Sequence, residues 1–182
     1  MNKIYIVIIL TISGFMFSCD SNLNTENTIS KEDIKKQIDS LKSELYKGIS
    51  NPSNDITAKL VVKQYTKYAY AFREDSLSKD YLFECAQVNV GLGLSPEAIA
   101  NLDTLVAWYP QDKIAPSALQ FKAFILDDRM HRWQKAAEVL DELIAKYPNS
   151  DIVENAKAYK ATLGKPAEQI IQEMADKEAA KE

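Results

Sequence analysis

The sequence predicts an all-α protein, an α-α solenoid of about four helical hairpins and eight helices. Three observations predict it. From Lys31 onward apolar residues recur at spacings of three and four, and no stretch alternates with period two over a convincing length. Helix-stopping residues punctuate that pattern, at Tyr109-Pro110, Tyr147-Pro148 and the glycines 91, 93 and 164. The chain also repeats itself. Shifting it by 38 residues aligns Ala98–Ala123 with Ala136–Ala161 at eleven identities in 26 positions, where ordinary residue frequencies give about two.

A first helix is expected from about Lys31 to Ile49, with Ser30 as N-cap and Asp33 three residues on, close to a capping box. Its apolar stripe, Ile34, Ile38, Leu41, Leu45 and Ile49, needs a surface to pack on. Asn51-Pro52-Ser53-Asn54 breaks it, and Asp55 is placed to cap a second helix reaching about Arg73. A third helix runs from Lys79 to about Gly91 and is ended by Gly91 and Gly93. Ser95-Pro96-Glu97 supplies an N-cap, a first-turn proline and an acidic first turn for the fourth, which stops at Tyr109-Pro110.

The fifth helix begins between Lys113 and Pro116 and ends near Asp128; the sixth spans about Arg132 to Tyr147. The seventh covers Asp151 to Thr162, with Gly164 beyond its end. Lys165-Pro166 opens a last helix whose Ala167, Ile170, Ile171 and Met174 form an apolar stripe suited to capping a stack. Tyr65, Tyr68, Tyr70, Phe72, Tyr81 and Phe83 concentrate aromatic rings between 65 and 83, and core packing is the expected use of them.

Composition limits the function classes. Against 22 Lys and Arg stand 26 Asp and Glu, a net charge of −4, without the basic face a nucleic-acid binder needs. One His and two Cys cannot build a zinc site of the usual kind, so neither metal nor cofactor is expected.

The first residues carry an address. Lys3 precedes an apolar run from Ile4 to Leu10 and a second apolar group at Phe15, Met16 and Phe17, too short and wrongly flanked for a stable membrane span. Residues 1–18 are therefore read as a secretory signal. Residues 19–30, with only Leu23 and Ile29 as large apolar side chains, form a tether; residues 31–164 form the repeat domain and 165–182 the capping helix and charged tail. Ser18-Cys19 resembles the lipobox of bacterial lipoproteins, although Met16 replaces the usual Leu. That resemblance implies lipidation of Cys19 and a lipid-anchored protein of the bacterial envelope, on the periplasmic face of the outer membrane. Cys85, left without a disulfide partner by this reading and set among Leu82, Phe83, Ala86 and Val88, reads as a buried small hydrophobe.

From Lys79 to Asp112 the order Leu82, Cys85, Ala86, Asn89, Ala98, Leu102 and Pro110 resembles the tetratricopeptide repeat of 34 residues without a gap. Asn89 stands where an aromatic is usual and Leu82 where Trp is common. By that frame the second unit is four residues longer than the first. The wording of the repeat is similar to the periplasmic branch: the lipoprotein subunit of the outer-membrane barrel-assembly machinery and the Tol-Pal-associated repeat protein. Small residues at Ala86 and Ala98 let the two helices of a hairpin approach closely, and several hairpins must stack to bury their faces.

The resemblance implies a concave surface lined by the first helix of each hairpin, with Phe83 and Gln87 facing it as partner contacts. The expected function is a membrane-tethered adaptor or scaffold binding other envelope proteins, with a barrel-assembly subunit as the alternative. An enzyme is the lesser alternative: His131, in the turn Asp127-Asp128-Arg129-Met130-His131-Arg132, could pair with a carboxylate. No nucleophile, phosphate loop or second His accompanies it, and a solvated turn residue is the simpler reading.

Overall fold

The computed structural model describes residues 30–47 and 54–179. The leader, Cys19, residues 20–29 of the tether, Ile49 and the Asn51-Pro52-Ser53 break lie outside these residues. The described chain is helical throughout: α1 (Lys31–Lys47), α2 (Asn54–Ala71), α3 (Ser76–Gly91), α4 (Ser95–Trp108), α5 (Ile114–Phe124), a π-helical turn (Ile125–Arg129), α6 (Trp133–Lys146), α7 (Val153–Thr162) and α8 (Ala167–Ala179). No strand occurs among the described residues. Each helix packs on the next, from α1 through α7, as a linear stack of hairpins requires.

Local chemistry sets the element ends. Ser30 Oγ accepts the backbone N–H of Asp33 at 3.1 Å and donates to its carboxylate at 2.8 Å, which fixes the start of α1. Asp75 accepts the N–H of Leu77 at 2.9 Å and begins α3 at Ser76, three residues before the expected Lys79. The expected cap at Ser95 is displaced by one: Leu94 is the half-in residue and Ser95 is buried in the first turn, with Pro96 beside it. Gly93 takes φ +73°, and the N–H groups of Leu94 and Gly93 return to the carbonyls of Asn89 (2.8 Å) and Val90 (3.0 Å), closing α3 with a Schellman motif.

Three apolar clusters follow one another along the stack. The first joins α1, α2 and α3 through Ile34, Ile38, Val61, Tyr65, Tyr68, Tyr81 and Cys85. The second joins α2 to α5 through Ala69, Leu82, Ala86, Ala98, Leu102, Leu105 and Ala118, with Ile125 of the π-turn. The third joins α5, α6 and α7 through Leu119, Ala123, Leu126, Ala136, Leu140, Leu143 and Ala156. Ala86 and Ala98 are both fully buried, so the two helices meet where neither carries bulk. Most of the aromatic run from 65 to 83 is core, as expected, but Tyr70 is 57% exposed.

The connections between hairpins are near copies. Tyr68 and Phe72, Leu105 and Tyr109, and Leu143 and Tyr147 each close the last helical turn with an N–H to carbonyl bond of 2.9 Å. Three residues on, the N–H of Asp75, Asp112 or Ser150 returns to the carbonyl of Phe72, Tyr109 or Tyr147 at 2.8 to 3.1 Å. Counted between these corners, 37 residues separate Phe72 from Tyr109 and 38 separate Tyr109 from Tyr147. The four-residue difference expected from the 34-residue frame is therefore one residue in the structure. That residue lies in the first helix of the third hairpin: 19 residues lead from Asp75 to Leu94, and 20 from Asp112 to Arg132.

The π-turn absorbs it, as π-turns absorb single insertions into a helix. It lets consecutive residues serve different cores, Ile125 the second and Leu126 the third. His131 ends it at φ +53°. The last helix departs from expectation. α8 meets no other helix over an extended surface, and its Ile171 is 67% exposed, so it does not cover the end of the stack. The turn before it is fixed: Gly164 has φ +70°, and a Cβ there would stand 2.9 Å from the Trp133 ring.

Candidate binding surface

The odd-numbered helices form one face of the stack, because contacts run directly between them. Lys42 on α1 donates to Glu84 on α3 at 2.8 Å; Phe83 on α3 meets Phe121 on α5 at 5.7 Å between ring centroids. Tyr159 on α7 donates its hydroxyl to Asp127 of the π-turn at 2.9 Å. The even-numbered helices form the other face, where Tyr70 on α2 meets Trp108 on α4 at 4.8 Å and the Arg73 guanidinium lies 4.8 Å from the Trp108 ring.

An aromatic groove of about 420 Å³ opens on the odd face between α5 and α7. Its lining is Ser117, Gln120, Phe121, Phe124 and Tyr159. Phe121 and Phe124, one turn apart on α5, lie nearly parallel, with 14° between planes and 6.3 Å between centroids. Phe124 is 39% exposed although it is a large hydrocarbon on a well-packed helix. Burial, and then the bond to Asp127, push the Tyr159 hydroxyl well above its ordinary pKa, so it stays a neutral donor at the groove's edge. Two nearly parallel rings and a half-buried phenol offer large apolar contact at low entropic cost, the composition of a protein-contact site.

Phe83 and Gln87, the two expected partner contacts, look into different spaces. Phe83 is half-buried and extends the ring series toward Phe121. Gln87 is exposed and lines a separate cleft of about 360 Å³ between α1 and α3, with Lys42, Tyr46, Tyr65 and Glu84. In that cleft one Glu84 oxygen accepts from both the Lys42 ammonium and the Tyr65 hydroxyl. The carboxylate is thus occupied internally, and burial followed by the bond to Glu84 raises the Tyr65 pKa.

His131 is exposed on its turn. Asp127, the nearest carboxylate considered for it, is taken by Tyr159, and Asp128 pairs with Arg129 at 3.0 Å. Among the described residues no group of three His, Cys, Asp or Glu side chains is arranged to hold a metal ion. No helix among them is long and apolar enough to cross a membrane.

Sequence reasoning missed Phe121, Phe124 and Tyr159. The signal was present for two of them, since the 38-residue shift superimposes Phe121 on Tyr159 within the aligned repeat. Phe124 had no such signal, because its exposure depends on how α5 runs into the π-turn. No protein-family model matches the chain, and no curated protein matches it.

Proposed function

We propose that the chain is a membrane-tethered helical-repeat adaptor that binds another protein of the bacterial envelope through its odd-helix face. The observation that carries this reading is the aromatic groove between α5 and α7, where Phe124 stays exposed beside Phe121 and Tyr159. A monomeric fold gains nothing from leaving such a ring in water, whereas a partner side chain seated there would bury it for about 1 to 3 kcal/mol. The solenoid supplies position rather than chemistry: lipid on Cys19 fixes the chain at the membrane, the tether gives it reach, and the rigid stack presents the groove.

A photocrosslinking residue in place of Phe124, activated in cells and followed by mass spectrometry, tests the reading. A defined envelope protein crosslinked at position 124, and lost when Tyr159→Glu is added, supports it. Crosslinks that reach only solvent or bulk lipid, with no protein partner at 124 or 83, overturn it. A parallel Cys19→Ala strain tests the tether, whose loss should lower the yield of that crosslink by reducing local concentration.

A further inference from the structure

Among the described residues two apolar features have no helix packed over them, and they are complementary. One is the groove of Phe121, Phe124 and Tyr159. The other is α8, whose Ala167, Ile170 and Ile171 share one helical face and whose Ile171 is 67% exposed. A helix presenting apolar residues at spacings of three and four is the shape that an apolar groove between two helices accepts.

The charges agree with the shapes. Over 13 residues α8 carries Glu168, Glu173, Asp176 and Glu178 against a single Lys177; Glu173 is bonded by Lys165 just before the helix, and Glu168, Asp176 and Glu178 are its exposed acids. The groove ends at the π-turn, because Tyr159 bonds Asp127 and Phe124 immediately precedes Ile125. Beyond that turn stand Arg129, His131, Arg132 and Lys135, all exposed, with Asp128 as the carboxylate among them. In a chain of net charge −4 this corner, where Arg132 and Lys135 stand beside the Arg129–Asp128 pair, is complementary in charge to the exposed acids of α8.

The contact cannot easily form within one chain. Only Leu163, Gly164, Lys165 and Pro166 separate α7 from α8, Gly164 lies against the Trp133 ring on α6, and α8 makes no extended contact with another described helix. We propose that α8 of one copy docks in the α5–α7 groove of a second copy, its acidic side chains toward the 129–135 corner. The contact is heterologous, head to tail, so a pair of molecules keeps one free groove and one free helix between them. This rests on the groove being a protein-binding site, as proposed above, and commits its occupant to this chain itself.

The test is sedimentation of the purified chain, as its Cys19→Ala variant to remove any acyl group, across about 10 μM to 1 mM. So small a contact predicts dissociation constants on the order of 10 to 100 μM and species that grow with concentration. Phe124→Glu and Ile171→Glu, both at exposed positions, should each weaken association at least tenfold with unchanged helical circular dichroism and melting. The mixture discriminates: Phe124→Glu retains its α8 and Ile171→Glu retains its groove, so together they should form a 1:1 dimer and nothing larger. A chain that stays monomeric to 1 mM, or variants whose mixture does not dimerise, overturns the proposal. In that event a foreign protein crosslinked at position 124 would leave the adaptor reading standing, whereas neither self-association nor such a crosslink would end both.

Discussion

The Tyr109 hydroxyl donates to the backbone carbonyl of Arg73 at 2.5 Å, tying the corner after the second hairpin to the corner after the first. Tyr147 occupies the same place one unit later, but its hydroxyl makes no hydrogen bond among the described residues. Tyr109→Phe should therefore cost about 1 kcal/mol, the net worth of one hydrogen bond. Tyr147→Phe should stay within about 0.5 kcal/mol of wild type, since ring packing is retained. Urea melts of the two variants compare them directly, and equal losses would show that the corners are energetically alike despite the difference in bonding.

Three described residues hold the left-handed backbone: Gly93, Gly164 and His131. Gly93→Ala meets open space and should cost about 1 kcal/mol from backbone strain alone. Gly164→Ala adds a 2.9 Å approach to the Trp133 ring, so its cost should exceed that of Gly93→Ala and Trp133 fluorescence should shift. His131→Gly should be neutral or stabilising by up to about 1 kcal/mol, because it relieves the strain of a side chain at positive φ. A large destabilisation by His131→Gly would reveal a contact of the imidazole that its exposed turn does not suggest.

Cys85 is fully buried, and its thiol sits 3.6 Å from the Thr66 hydroxyl oxygen and from the Val62 carbonyl. Burial pushes its pKa up to about 12, so at pH 8 almost no thiolate forms. Native protein should leave Cys85 unmodified by iodoacetamide over hours, and urea should expose it to full labelling. Peptide mapping by mass spectrometry reads this site separately. Rapid native alkylation would mean that the first hairpin opens on that timescale.

Acid should loosen the corners. Lys31 hydrogen-bonds Asp75 and holds its carboxyl below the ordinary carboxylate pKa, helped by the N–H of Leu77; Lys79 does the same for Asp112. A carboxyl whose pKa is lower folded than unfolded stabilises the fold above the unfolded value, near 3.9, and that contribution is lost as pH falls through the folded value. Melting temperature should drop below pH 4, and less steeply in the Asp75→Asn, Asp112→Asn double variant, where Asn retains the capping oxygen but not the charge. Equal acid slopes in the two proteins would assign the acid sensitivity to other carboxylates.

How legible the fold was can be seen element by element. The stripe Ile34, Ile38, Leu41, Leu45 placed α1, and the Tyr-Pro corners placed the ends of α4 and α6, because periodicity and proline act locally. The α3 start was misplaced at Lys79 because the capping role of Asp75 competes with a run of polar residues that resembles a loop. The π-turn was invisible, since nothing in Ile125–Arg129 differs in type from an ordinary helix end. The resemblance to the tetratricopeptide repeat put Phe83 and Gln87 on one surface, yet neighbouring helices α5 and α1 assign them to separate spaces.

The order of helices, the internal duplication and most of the core residues follow from the sequence itself, because each depends on spacing along a helix or on a local stop. In the structure the 38-residue shift also superimposes two ion bridges, Asp103 to Lys122 at 2.5 Å and Asp141 to Lys160. What only the tertiary structure decided is which apolar residues remain in water. Phe124 and Ile171 look like core residues in the sequence, and Phe121 like any other ring. Their exposure follows from how α5 runs into the π-turn and from α8 having no extended contact with another described helix, and neither effect is written in the hydrophobic period.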